Sequence, residues 1–227
     1  MKRVFIFSAL LFGLTDNAHA LELDYVHKYE DVTHQHTDEF EIEHDFESGI
    51  GIGAKAKFHP QEQADGSSGK AFTHARLDEK EFKTDDTFHV TDRLKVVPGM
   101  EWAKEENKDK YKPSLKLKYS LFEHTRLSAQ YRREIIHRGN KSTKLTNKYE
   151  GKIAQKFGNF TLAYALVYYH SNVDLYNNQP HDYEYKVKIG YQATRHLTPY
   201  VEAMNESVDD ESSRRQTQFS VGVNYRF

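Results

Sequence analysis

The stretch "YEYKVKIGY", residues 183–191, sets Tyr183, Tyr185, Val187, Ile189 and Tyr191 on one parity and Glu184, Lys186, Lys188 and Gly190 on the other. A period of two is the period of a β-strand, so the segment has one oily face and one ionised face. Against lipid, the Tyr/Val/Ile face buries no charge. The opposite choice places Lys186 and Lys188 in hydrocarbon, at about 2–4 kcal/mol each near the bilayer midplane. With lipid present the oily face therefore points outward; without lipid it would line the core of a soluble exported barrel or sandwich.

The same alternation recurs along the chain. "YKPSLKLKYSL" (111–121) opposes Tyr111, Leu115, Leu117 and Tyr119 to Lys112, Lys116 and Lys118, and "FTLAYALVYY" (160–169) opposes Phe160, Leu162, Tyr164, Leu166 and Tyr168 to small residues. The last segment alternates from Thr217 to Phe227. Such segments predict strands near 21–30, 37–46, 50–58, 80–90, 94–103, 111–121, 125–136, 145–157, 160–170, 182–192, 197–205 and 214–227. The fourth rests mainly on its neighbours' need for a partner, because "EKEFKTDDTFHV" keeps neither parity apolar for long.

Short connections at 47–49, 91–93, 122–124, 158–159 and 193–196 alternate with longer polar links such as 59–79, 171–181 and 206–214. Short turns on one rim and long loops on the other predict an all-β fold: a transmembrane antiparallel up-and-down β-barrel of about twelve strands in the outer membrane. Aromatic residues near the short-turn rim (Phe46, Tyr119, Phe157, Phe160, Tyr191, Tyr225 and Phe227) match an interfacial girdle.

Residues 1–20 read as a cleaved secretory signal peptide. Lys2 and Arg3 precede an apolar run from Val4 to Leu14 and a small-x-small site at Ala18-His19-Ala20. Residues 21–227 then form a single barrel domain. With no cysteine in the chain, disulfides and thiol chemistry are excluded. A net charge of −2 and the absence of a basic binding motif point away from nucleic acid.

If the oily parity faces lipid, the other faces water inside the barrel. The inward basic set comprises Lys95, Lys112, Lys116, Lys118, Arg126, Arg132, Lys148, Lys152, Lys186, Lys188, Arg214 and Arg226, joined by Lys55, Lys57 and Lys156. The inward acids cluster instead at Glu22, Asp24, Glu39, Glu41, Glu43 and Asp45 on the first two strands, which predicts a transverse field. Lys and Arg in a low-dielectric pore attract anions, so an acidic oligosaccharide could step from one cation to the next, with Tyr169 and Tyr200 as sugar-facing rings. The alternative is that these charges pair with one another and solvate a general pore.

Other chemistry is thinly supported. Asp85-Asp86 and His181-Asp182 could activate water in an outer-membrane hydrolase, but loop Asp and His residues are ordinarily just solvated. His34 and His36 have same-face spacing without a third metal ligand, so no metal or other cofactor is expected. Asp209, Asp210 and Glu211 could bridge lipopolysaccharide through divalent cations or form a plain acidic loop.

Several segments resemble the oligogalacturonate-specific (KdgM) porin family, which includes a sialic-acid-specific relative. These are "LELDYVHKY" (21–29), "HDFESGIGIGAKAKF" (44–58), "YKPSLKLKYSL" with "LSAQYRREI" (111–135) and the closing "VGVNYRF". The resemblance implies a monomeric twelve-stranded barrel passing acidic oligosaccharides between two facing basic tracks. Arg132, Lys116 and Lys118 match lumen positions. Phe227 resembles the aromatic terminus read by the barrel-insertion machinery. This chain departs at Val26, where the family often has arginine, and at Asp45, where a basic residue is common. One expected basic side is therefore acidic.

Overall fold

The computed structural model describes residues 21–63, 65, 67–139 and 141–227; the signal segment read at 1–20 lies outside them. All regular elements are strands: β1 (Leu21–Glu30), β2 (His36–Asp45), β3 (Ile50–Pro60), β4 (Ala75–Asp86), β5 (Phe88–His89), β6 (Leu94–Glu105), β7 (Lys108–Phe122), β8 (Thr125–Arg138), β9 (Lys141–Phe157), β10 (Phe160–Ser171), β11 (His181–Tyr191), β12 (Leu197–Ser207) and β13 (Arg215–Arg226). Each pairs antiparallel with its neighbour in sequence, except that β4 and β5 both pair with β6. The first and last strands also pair, Tyr25 opposite Val223, so the sheet closes into a twelve-membered ring without an edge. The two-residue β5 continues β4 in the same register, after a break where the Thr87 N–H donates to the Gly49 carbonyl.

The fourth strand starts earlier than its sequence suggests, at Ala75 rather than near residue 80. The pairing changes from Lys57 opposite Glu79 to Phe58 opposite Leu77, which leaves Asp78 as the extra residue of a β-bulge. A bulge reverses the parity beyond it, so Leu77 and Phe82 both lie exposed on the outer face although their numbers differ in parity.

The short-turn rim is as expected, but the opposite rim is less uniform. Loops span 61–74, 172–180 and 208–214, whereas only 106–107 separates β6 from β7 and only 139–140 separates β8 from β9. The residues saved extend the strands: β7, β8 and β9 have 15, 14 and 17 residues. A tilted strand crosses a bilayer in roughly 9–11 residues, so these strands project past the membrane on the long-loop side.

There is almost no apolar core. Leu117, Leu166, Tyr185, Val187, Ile189 and Val221 are exposed on the outer wall, as a hydrocarbon-facing surface requires. The seven girdle aromatics, from Phe46 to Phe227, are exposed at the short-turn rim. Charged and small side chains fill the interior, where Glu79, Glu81, Ala103 and Val167 are all nearly inaccessible.

Candidate functional site

The interior wall divides into sectors by what stands next to each cation. Where β3 meets β4, Lys55 lies opposite Glu81 and Lys57 opposite Glu79, and their ammonium groups lie 2.7 Å from those carboxylates. Lys110 and Lys112 on β7 reach Glu79 and Glu81 across β6, where the small, fully buried Ala103 stands between the rows. Lys83 is shared by Glu41 and Glu43. Arg132 donates to Glu101 at 2.7 Å. The result is a cross-strand ladder whose charges largely cancel.

The neighbouring sector contains no such acid. Lys95 stands opposite Lys118, which stands opposite Ser128; Ser128 faces Lys152, and Lys152 faces Ala165. No carboxylate occurs along that row. Lys95, Lys118 and Lys152 on that row, and Lys116 and Arg126 on adjacent rows, form no ion pair among the described residues. Lys118, Arg126 and Lys152 are also exposed. A cavity of about 960 Å³ opens at the short-turn rim, with Lys95, Lys118 and Arg126 on one side and Glu22, Glu43 and Asp45 on the other.

The twelve basic residues singled out from the sequence thus fall into four groups. Lys95, Lys116, Lys118, Arg126 and Lys152 form the unpaired cluster. Lys112, Arg132, Lys148, Lys186 and Arg226 are engaged by carboxylates, Lys148 loosely by Glu150 at 3.9 Å and Lys186 by Glu184 at 3.3 Å. Lys188 rests over the Tyr200 ring, 3.4 Å from its centroid. Arg214 is a correction: it lies exposed in the 208–214 loop, ahead of β13. Its neighbour Arg215 is the rim anchor, donating to Asp182 and Asn205 and stacking on Tyr183. Parity failed at Arg214 because the strand begins one residue later.

The two interior tyrosines differ from open sugar platforms. Tyr200 is only 8% exposed and donates its hydroxyl to Asp24 at 2.7 Å. Its ring lies flat over Gly222, where an added Cβ would stand 2.3 Å from Tyr200 Cζ. Lys148 lies over the Tyr169 ring at 5.5 Å.

The other constellations are structural. Asp182 accepts from Arg215 and Ser207, so no His181-Asp182 dyad is poised for water. His34 bonds the Tyr29 hydroxyl, and among the described residues no three His, Cys, Asp or Glu side chains converge on a metal position. Asp209 caps its own loop, accepting from the Glu211 and Ser212 N–H groups. The Ser212 N–H holds its carboxyl below the usual range.

A closed barrel with an ionised interior and an oily exterior is the architecture of an outer-membrane channel. Residues 14–227 match the family described as oligogalacturonate-specific porin protein (KdgM), and the chain belongs to that family. It is 27% identical over 221 residues to the oligogalacturonate-specific porin KdgM of Dickeya dadantii, covering 93% of each. Among solved structures, a NanC porin superposes with a TM-score of 0.76 at 17% identity, over 90% of this chain and 100% of that one. A KdgM porin in complex with disordered oligogalacturonate gives 0.70 at 22% identity, over 91% and 99%. The protein is thus a porin of the bacterial outer membrane, and the hydrolase alternative falls with its family.

Proposed function

We propose that this porin passes acidic oligosaccharides of the oligogalacturonate kind by passive diffusion, with the unpaired cations of β6 to β9 as the track their carboxylates follow. The observation that carries this reading is the acid-free row from Lys95 through Lys118 to Lys152, flanked by Lys116 and Arg126. An ammonium already bonded to a carboxylate has little to offer a passing anion. One with no partner can trade its hydration for the solute, and low-dielectric walls strengthen the attraction. The Dickeya dadantii relative is named for oligogalacturonate, and the solved KdgM complex contains that sugar.

Neither step breaks a covalent bond, so the lumen residues act only by binding and release. As proposals of the same standing, the barrel is a monomer, its outer wall meets outer-membrane lipid and lipopolysaccharide, and Phe227 is its mark for the insertion machinery. Single-channel recording of the purified protein in planar bilayers tests the transport reading. Anion preference and transient block by trigalacturonate are expected; a cation-preferring pore indifferent to the sugar would overturn the substrate.

A further inference from the structure

Across the lumen from the free cations the wall has the opposite sign. In the twelve-membered ring β1 stands opposite β8, β2 opposite β9 and β13 opposite β7. There, β1, β2, β11, β12 and β13 line a niche of about 240 Å³. Six carboxylates line it, from Glu22, Asp24, Glu39, Glu41, Glu43 and Glu202, against the two ammonium groups of Lys28 and Lys188. Lys28 is taken by Glu39 at 2.8 Å. From outside the niche, Arg226 holds Glu22 and Lys83 is divided between Glu41 and Glu43.

Among the described residues Asp24 and Glu202 form no ion pair, although Asp24 accepts from the Tyr200 hydroxyl; Lys188 acts on both through space while its ammonium lies on the Tyr200 ring. A second feature marks the niche as a place for a hydrogen-bonding ligand. Ser220 lines it, only 3% exposed, and its hydroxyl has no hydrogen-bond partner among the described residues. In register, Ser220 lies between Lys28 and Glu202. At the position where a long basic side chain would fill this space, the chain has Val26, 7% exposed.

The group that suits such a wall is a primary ammonium, which brings positive charge and three donors to several separate oxygens. No three of the described acidic or histidine side chains converge as metal ligands, which favours a hydrogen-bonding cation over a bare metal ion. The depths also agree. Asp24 stands three residues from the start of β1 and Lys118 four from the end of β7, so both walls lie just inside the short-turn rim.

We infer that the saccharide this channel selects is zwitterionic: its carboxylates ride the cations of β6 to β9, and a free amino group on the same sugar chain meets the Asp24–Glu202–Ser220 niche opposite. This rests on the proposed transport of acidic saccharides and narrows it. The niche explains why one wall of an anion track is acidic: it draws in the amino group that a purely anionic sugar lacks.

The test is single-channel block by a short heparosan oligosaccharide in two forms, one with its glucosamine nitrogens acetylated and one with them free. The two share every carboxylate and differ only in the ammonium. Longer blocks by the free-amine form are expected, by about tenfold, the worth of one charge-assisted hydrogen bond set. Glu202→Gln and Ser220→Ala should each shrink that ratio and leave block by the acetylated form as it was. Equal block by both forms, or a ratio indifferent to both substitutions, would overturn the inference while leaving the acidic-saccharide reading intact. If neither form, nor trigalacturonate, blocks the pore, the transport reading itself fails. Heat-modifiable gel mobility of each variant confirms that the barrel has closed.

Discussion

Two groups of lysines on the same interior wall have opposite fates. In the ladder, Lys55, Lys57, Lys110 and Lys112 are held by Glu79 and Glu81; nearer the short-turn rim, on β6, β7 and β9, Lys95, Lys118 and Lys152 form no ion pair among the described residues. All of them are inward lysines on alternating strands, so residue type and parity do not separate them. Cross-strand register does. Glu79 and Glu81 stand directly opposite Lys57 and Lys55, whereas the row through Lys118 offers only two more lysines, a serine and an alanine. Ladder charges serve the wall; under the proposed transport, the free charges are the ones left for the solute.

Removing the acid that unites the ladder is the severest way to break this contrast. Glu81→Ala leaves Lys55 and Lys112 facing each other without their shared carboxylate. Urea unfolding in detergent should show a loss of about 2 kcal/mol, below the 3–5 of a dry pair because lumen water solvates the stranded cations. Next in size is reversal of the free cluster. Lys118→Glu with Arg126→Glu and Lys152→Glu should lower the anion-to-cation permeability ratio by roughly fivefold, read from reversal potentials in a salt gradient. The same reversal at Arg132 would confuse the result, since that guanidinium belongs to Glu101.

Salt sharpens the comparison more gently. Raising the electrolyte from about 0.1 M to 1 M shortens the screening length from about 10 Å to 3 Å. Anion preference should weaken steadily over that range, whereas urea stability, set by contact pairs, should change less. The smallest effects are expected from two controls. Lys112→Gln, within the ladder, should leave the permeability ratio within about twofold of the starting protein. Leu117→Ala, on the exposed outer face, should not move it at all.

Most of the barrel could be read from alternation alone, because an unbroken strand keeps its oily residues on one parity. "YEYKVKIGY" is β11 nearly residue for residue. The fourth strand resisted because the bulge at Asp78 moves Leu77 and Phe82 to one face from opposite parities. The outer ends of β7 and β9 resisted for another reason: above the membrane nothing demands an oily face, so polar residues such as Lys108, Lys110 and Lys141 continue the strand unannounced.

The site was half legible. Parity placed eleven of the twelve basic candidates on strands and missed Arg214, which precedes β13. It could not sort paired from unpaired, since partners come from strands far apart in sequence: Lys110 and Glu79 are 31 residues apart, and Arg226 and Glu22 are 204 apart. The acid-rich first strands were visible at once. The Ser220 hydroxyl, without a partner among the described residues, was not, because an unmet hydrogen bond leaves no trace in composition.

The Phe227 N–H donates to the Leu21 carbonyl at 3.0 Å, so the two ends of the described barrel touch. The wall therefore has a seam rather than a beginning and an end. A short linker sewn across it, with new termini cut in the 208–214 loop, should yield a permuted chain of the same conductance. Where the polypeptide starts would then be a matter of delivery and assembly order, with no bearing on what passes through.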